Sequence, residues 1–155
     1  MKTLQIGDLA PDFKGVDQFG NPVTLAEFKG KNVVLYFYPK DDTPGCTAEA
    51  CNLRDNYADL ISKGFEIIGV SPDTTASHKK FADKYELQFR LVSDPEKNIL
   101  KAYNAWGEKK MYGKSYEGVL RKTFIIDKNQ KIEKIFEKVD TKDHTNQIYK
   151  ELNIK

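Results

Sequence analysis

Val33 to Tyr38, "VVLYFY", is apolar at every position, the pattern of a strand buried on both faces in a sheet that helices cover. "FEIIGVS" (65–71) repeats the pattern. Between these runs, about 47–63 carries a helical spacing closed by Gly64, the residue that most often ends a helix. A second helix is expected over 73–86, with Asp73, Thr74 or Thr75 as its N-cap. "RKTFIID" (121–127) and "KIEKIFE" (131–137) read as paired strands joined by the turn-like "DKNQ", and 142–152 as a last helix. Near the front, "FGNPVTL" places a Gly20–Asn21 turn between two short extended pieces. The expected fold class is therefore α/β: a central mixed β-sheet flanked by helices, with an N-terminal β-hairpin.

Length and composition narrow this picture. The 155 residues fit a single domain spanning 1–155, and 39% apolar with 31% charged residues is the balance of a soluble globular protein. A formal net charge of +2 points to no nucleic acid and no membrane surface as partner. The scattered lysines read as a solvated face. The longest apolar run is far short of the roughly 20 residues of a membrane span. The opening "MKTLQIGDLAPDF" lacks the apolar core of a signal peptide, so a cytoplasmic protein is expected.

The only two cysteines stand together in "PKDDTPGCTAEAC" (39–51), directly after the first strand. In a reducing compartment such a pair is catalytic or metal-binding rather than a staple. With Ala50 at zero on a helical wheel, Leu53, Tyr57, Leu60 and Ile61 define an apolar face near about 330°; Cys46 falls near about 320° and Cys51 near about 100°. Positions five apart on a helix lie roughly 8 to 9 Å from each other, beyond the approximately 7 Å that a disulfide spans. Bonding the two thiols would require the first turn to unwind.

Cys46 at a helix start meets unpaired N–H groups and a partial positive charge, both of which favour the reactive thiolate. Gly45 allows close backbone approach, and Pro39 and Pro44 stiffen the loop. The Thr43 hydroxyl and the Cys46 N–H are candidate donors to a bound oxygen. Of the three arginines, Arg121 opens a strand and is placed to reach the loop after the first strand. Arg54, on the thiol helix, is a candidate helper, and Arg90 falls in a loop. Glu49 is either a site residue or a helix-dipole carboxylate. His78 and His144 are too far apart in sequence, and from the cysteines, to make a local metal site, so neither a metal nor a cofactor is expected. Tyr103, Trp106, Met111 and Tyr112 would line a substrate entrance or cover the sheet.

"PKDDTPGC" resembles the peroxiredoxin motif of proline, threonine and cysteine, met by Pro39, Thr43 and Cys46. "CTAEAC" and "AWGEKKMYGKSYEGVLRKTFIID" resemble the peroxiredoxin Q, or bacterioferritin comigratory protein, branch. The resemblance implies a thioredoxin-like fold and a thiol peroxidase. Carried over by position, Cys46 would be the peroxidatic cysteine, Cys51 the resolving one, and Pro39, Thr43 and Arg121 their catalytic surroundings. It further implies hydrogen peroxide and alkyl hydroperoxides as substrates, a Cys46–Cys51 disulfide intermediate, thioredoxin or a similar dithiol protein as reductant, and a monomer. Two other readings compete. A thiol-disulfide oxidoreductase usually separates its cysteines by two residues. A redox sensor would react once and then expose a partner surface.

Overall fold

The structure is a computed structural model that describes residues 3–154, with the side chain of Met111 outside the description. The apolar runs become the centre of one sheet. β3 (Asn32–Phe37) and β4 (Phe65–Ser71) pair in parallel, β5 (Arg90–Ser93) extends β4 in parallel, and β8 (Lys122–Ile126) pairs antiparallel with β3. β9 (Ile132–Phe136) follows antiparallel to β8, and the N-terminal hairpin of β1 (Lys14–Val16) and β2 (Pro22–Thr24) completes the other edge. The order is β2-β1-β5-β4-β3-β8-β9, a mixed sheet as expected.

Alternation explains why β3 is apolar throughout. Val33, Leu35 and Phe37 pack with Phe13, Leu25, Leu100 and Phe124 on one face. Val34, Tyr36 and Tyr38 pack with Ala50, Leu53, Leu60, Phe81 and Ile148 on the other. That second layer is built from α1 (Pro44–Asp55), α2 (Tyr57–Ser62), α3 (Thr75–Tyr85) and α5 (His144–Glu151); α4 (Asn98–Ala102) serves the first. Each such side chain withdrawn from water contributes on the order of 1.5–3 kcal/mol before chain entropy is subtracted.

The long helix expected over 47–63 is instead two. α1 starts three residues earlier, because Thr43 is extended (φ −99°, ψ 156°) and Pro44 occupies the first helical position, where no N–H is required. It ends at Asn56, whose side-chain amide donates to the Asn52 carbonyl at 2.8 Å and so competes for the acceptor that a continuing helix would use. α2 starts anew at Tyr57, and Ile61 is 43% exposed although its wheel position faces inward. Gly64, at φ +86°, ends α2 as expected.

The sequence pattern missed β5, α4 and a separate antiparallel ribbon of β6 (Trp106–Met111) and β7 (Lys114–Val119). The ribbon disperses the aromatic cluster expected near 103–112. Tyr103 is buried in the first core layer, its hydroxyl donating to the Pro11 carbonyl, whereas Tyr112 is 97% exposed at the ribbon's turn. Among the described residues, no helix is long and apolar enough to cross a membrane.

Candidate active site

The end of β3 delivers the chain to the site. Phe37 pairs with Lys122, so Arg121 stands at the start of β8 beside the loop that leads from β3 to α1. Cys46 is the third residue of α1, inside the turn whose N–H groups have no carbonyl partner in the helix, and is only 2% exposed. Arg121 Nη2 lies 3.2 Å from Cys46 Sγ, and Nη1 lies 2.7 Å from Glu49 Oε1. One planar guanidinium therefore bridges the thiol and a buried carboxyl one turn further along. Gly45 makes room for it: a Cβ there would meet Arg121 Nη2 at 3.4 Å. Burial pushes the Glu49 carboxyl up to about 7, against the opposing pull of Arg121.

Thr43 precedes α1, and its hydroxyl donates to the Lys40 carbonyl at 2.9 Å rather than pointing a proton at the thiol. Its lone pairs stay open, and a turn about χ1 would redirect the proton. Pro39 is half-buried, immediately after the β-sheet run. Cys51 lies on the same unbroken helix, partly exposed, and both thiols are free. Burial, opposed by Arg54, raises the Cys51 thiol, so it stays protonated near neutral pH. Arg54 itself is tied to Asp55 and to the Tyr85 carbonyl, and Arg90 opens β5 with ion pairs to Glu27 and Asp17.

Sequence reasoning passed over the residues that hold this loop in place. Asp41 accepts from Tyr38 Oη (2.6 Å) and Ser77 Oγ (2.8 Å) and faces His78 Nδ1 at 2.8 Å. Its own N–H donates to Asp73 Oδ2 at 2.8 Å. His78, fully buried on α3, donates from Nε2 to the Val92 carbonyl. Asp41, Asp73 and His78 place ligand atoms within 4.8 Å of one another and could hold a cation, yet their atoms are already engaged by Tyr38, Ser71, Ser77 and Val92. Their service is to fasten the loop before Cys46 onto α3. A second overlooked group joins α1 to α5: Asn52 Oδ1 accepts from both the N–H and hydroxyl of Thr145 at 2.8 Å, standing in for the cap that Asp143 does not provide. His144, too far from the cysteines in sequence to make a local metal site, is buried against Thr123 and Glu49. An i, i+3 histidine–glutamine pair at a helix start was the available signal for it.

Comparison with known proteins identifies the family. The AhpC/TSA family profile matches residues 6–135. The chain is 46% identical over 142 residues to peroxiredoxin Bcp of Bacillus subtilis, covering 92% of this chain and 90% of that one. It is 43% identical over 144 residues to peroxiredoxin Bcp of Escherichia coli, covering 93% and 92%. Among solved structures, a mutant of Xanthomonas campestris peroxiredoxin Q superposes with a TM-score of 0.88 at 33% identity, over 97% of this chain and 96% of that one. A Xylella fastidiosa PrxQ mutant superposes with a TM-score of 0.90 at 29% identity, over 99% and 98%. With this sheet order, this thiol at the head of α1 and these relatives, the chain belongs to the AhpC/TSA family, in its peroxiredoxin Q or bacterioferritin comigratory protein branch.

Proposed function

We propose that the protein is a thiol peroxidase that reduces hydrogen peroxide and alkyl hydroperoxides at Cys46. The observation that carries this is the placement of Cys46 Sγ at the amino end of α1 and 3.2 Å from Arg121, a setting that favours an anion on sulfur. The thiolate attacks the terminal peroxide oxygen; the S–O bond forms as the O–O bond breaks, and the departing oxygen takes a proton and leaves as water or an alcohol. Negative charge grows on that oxygen, so the donors needed are the Cys46 N–H, Arg121 and a rotated Thr43 hydroxyl, with Pro39 shaping the wall. A relative, the Xanthomonas campestris bacterioferritin comigratory protein, has alkyl peroxide reduction activity, which supports the substrate class.

In the second half of the cycle Cys51 supplies its thiol to the Cys46 sulfenic acid, forming a disulfide and releasing water. Thioredoxin, or a similar dithiol protein, then gives two electrons and two protons to restore both thiols. Because the two cysteines share one helix, its first turns must open for this step. The same geometry disfavours a general protein disulfide oxidoreductase, which needs its thiols within bonding distance. The protein acts as a cytoplasmic monomer of one domain.

The test is peroxide consumption with a thioredoxin system supplying electrons. Cys46→Ser abolishes turnover, and Cys51→Ser accumulates a single sulfenic acid. Turnover at the original rate in Cys46→Ser overturns the assignment of the reacting thiol. The same result in Cys51→Ser removes only its resolving role. One equivalent consumed without turnover in the unmodified protein identifies a sensor instead.

A further inference from the structure

The cycle above leaves unused a buried titratable pair that borders the thiol's arginine, Glu49 and His144, both fully enclosed. Their protons follow from their partners. The Asp140 N–H donates to Gln147 Oε1 at 2.9 Å and Gln147 Nε2 donates to the Lys138 carbonyl at 2.8 Å, which fixes the amide. His144 Nδ1, 2.8 Å from that Oε1, therefore carries its proton. Burial depresses the ring to about 4, so near neutral pH it is uncharged and Nε2 is a bare acceptor, taking the Thr123 hydroxyl at 2.8 Å.

Glu49 Oε2 faces this nitrogen at 3.8 Å and has no hydrogen-bond partner. A carboxylate oxygen set against an imidazole lone pair in a dry site is unfavourable for both. A proton on Oε2 removes this opposition of lone pairs without needing a hydrogen bond to Nε2, which Thr123 already engages. Meanwhile Arg121 faces two acids with one positive charge, Glu49 Oε1 through Nη1 and Cys46 Sγ through Nη2. Ionising both acids leaves excess negative charge in a buried site, so the two ionisations oppose each other.

We propose that His144 is a positioning residue that holds a proton on Glu49 Oε2, so that the charge of Arg121 is left to the Cys46 thiolate. The exchange is Cys46–SH plus Glu49–COO⁻ giving Cys46–S⁻ plus Glu49–COOH: an S–H bond is lost, an O–H bond gained, and nothing is oxidised or reduced. His144 touches neither sulfur nor substrate. The other groups that face the pair are consistent with this. The Tyr36 hydroxyl, buried and without a partner, lies near both Glu49 and Cys46, and burial followed by those charges holds it protonated. Asp140, exposed, faces His144 from the segment before α5. The inference rests on Cys46 being the reacting thiol.

The experiment uses the full chain with Cys51→Ser, so that one thiol remains, and follows alkylation of Cys46 by iodoacetamide against pH. His144→Asn keeps a donor for Gln147 and removes the Nε2 acceptor; the rate near pH 7 falls about tenfold. Glu49→Gln imitates the protonated carboxyl, keeps the rate high, and makes His144→Asn without further effect. An equal loss from His144→Asn in both backgrounds means general loosening and overturns the proposal, as does no loss in either. Infrared difference spectroscopy of the otherwise unaltered chain decides the matter even if His144→Asn does not fold. A protonated carboxyl band that appears as the thiolate forms and vanishes in Glu49→Gln supports the proposal; absence of such a band overturns it. Failure of the underlying peroxidase reading would show separately, as peroxide turnover surviving Cys46→Ser.

Discussion

Removing either member of the Glu49–His144 pair exposes a pH dependence of stability that the other masks. Glu49 is raised from 4.5 to about 7, chiefly by burial, so the folded state holds its proton longer than the unfolded chain does. The stability this contributes is complete below about pH 4.5 and is lost as pH rises through 7. His144 is lowered from 6.5 to about 4, again chiefly by burial, so its contribution is complete above 6.5 and is lost as pH falls through 4. Each span is about 2.5 pH units, or on the order of 3 kcal/mol, with opposite sign. In the unmodified protein the two slopes nearly cancel. Urea unfolding at a series of pH values from 4 to 8 measures the difference from the unmodified chain. The stability of Glu49→Gln relative to it climbs by about 3 kcal/mol between pH 4.5 and 7, and that of His144→Asn drops by a similar amount between pH 4 and 6.5. A difference that stays constant within about 1 kcal/mol for either variant refutes the burial argument for that residue.

Other perturbations act on single features. Arg121→Met removes a charge-assisted hydrogen bond from the sulfur, and alkylation of Cys46 at neutral pH slows by roughly tenfold to a hundredfold; Arg121→Lys recovers only part, lacking the fork that serves Glu49 as well. His78→Ala removes one of the three side-chain partners of Asp41 and empties a buried site on α3, costing about 2–4 kcal/mol in denaturant unfolding. Gly69→Ala drives a methyl to within 2.8 Å of the Tyr36 ring and costs about 1–3 kcal/mol by the same assay. Asn52→Ala strips the borrowed cap from α5 and costs about 1–2 kcal/mol, with faster amide exchange at Thr145 as its local signature.

Much of this was legible in the chain because it depends on short-range pattern. "VVLYFY" and "FEIIGVS" gave the two central strands, since a run buried on both faces shows no alternation, and Gly64 marked a helix end by its backbone freedom. The inward aspect of Cys46 followed from helical geometry alone. Arg121 could be anticipated at the loop because strand ends gather there, although its double engagement of Cys46 and Glu49 depends on the register of β3 with β8. The break at Asn56 was hidden, because the apolar period continues across it and only a side-chain hydrogen bond interrupts the ladder. The anchoring of Asp41 by His78 joins residues 37 positions apart, and Glu49 meets His144 across two elements. Polar partnerships of that kind leave no periodic trace. β7, exposed along most of its length, and β6, with no fully buried residue among those described, bury too little to impose a pattern at all.

The interruption at Asn56 also sets how far a disturbance in α1 spreads. Melting of a continuous helix has no natural stopping point, and opening the turns around Cys46 and Cys51 in the proposed cycle would tend to run on into whatever helix followed. Here the ladder is already severed, and Leu60 pins α2 to the sheet independently of its neighbour. In the proposed cycle α1 would thus act as a fusible link between two fixed points, the loop fastened by Asp41 upstream and α2 downstream, and each turnover would disorder one short segment while the sheet and its other helices keep their shape.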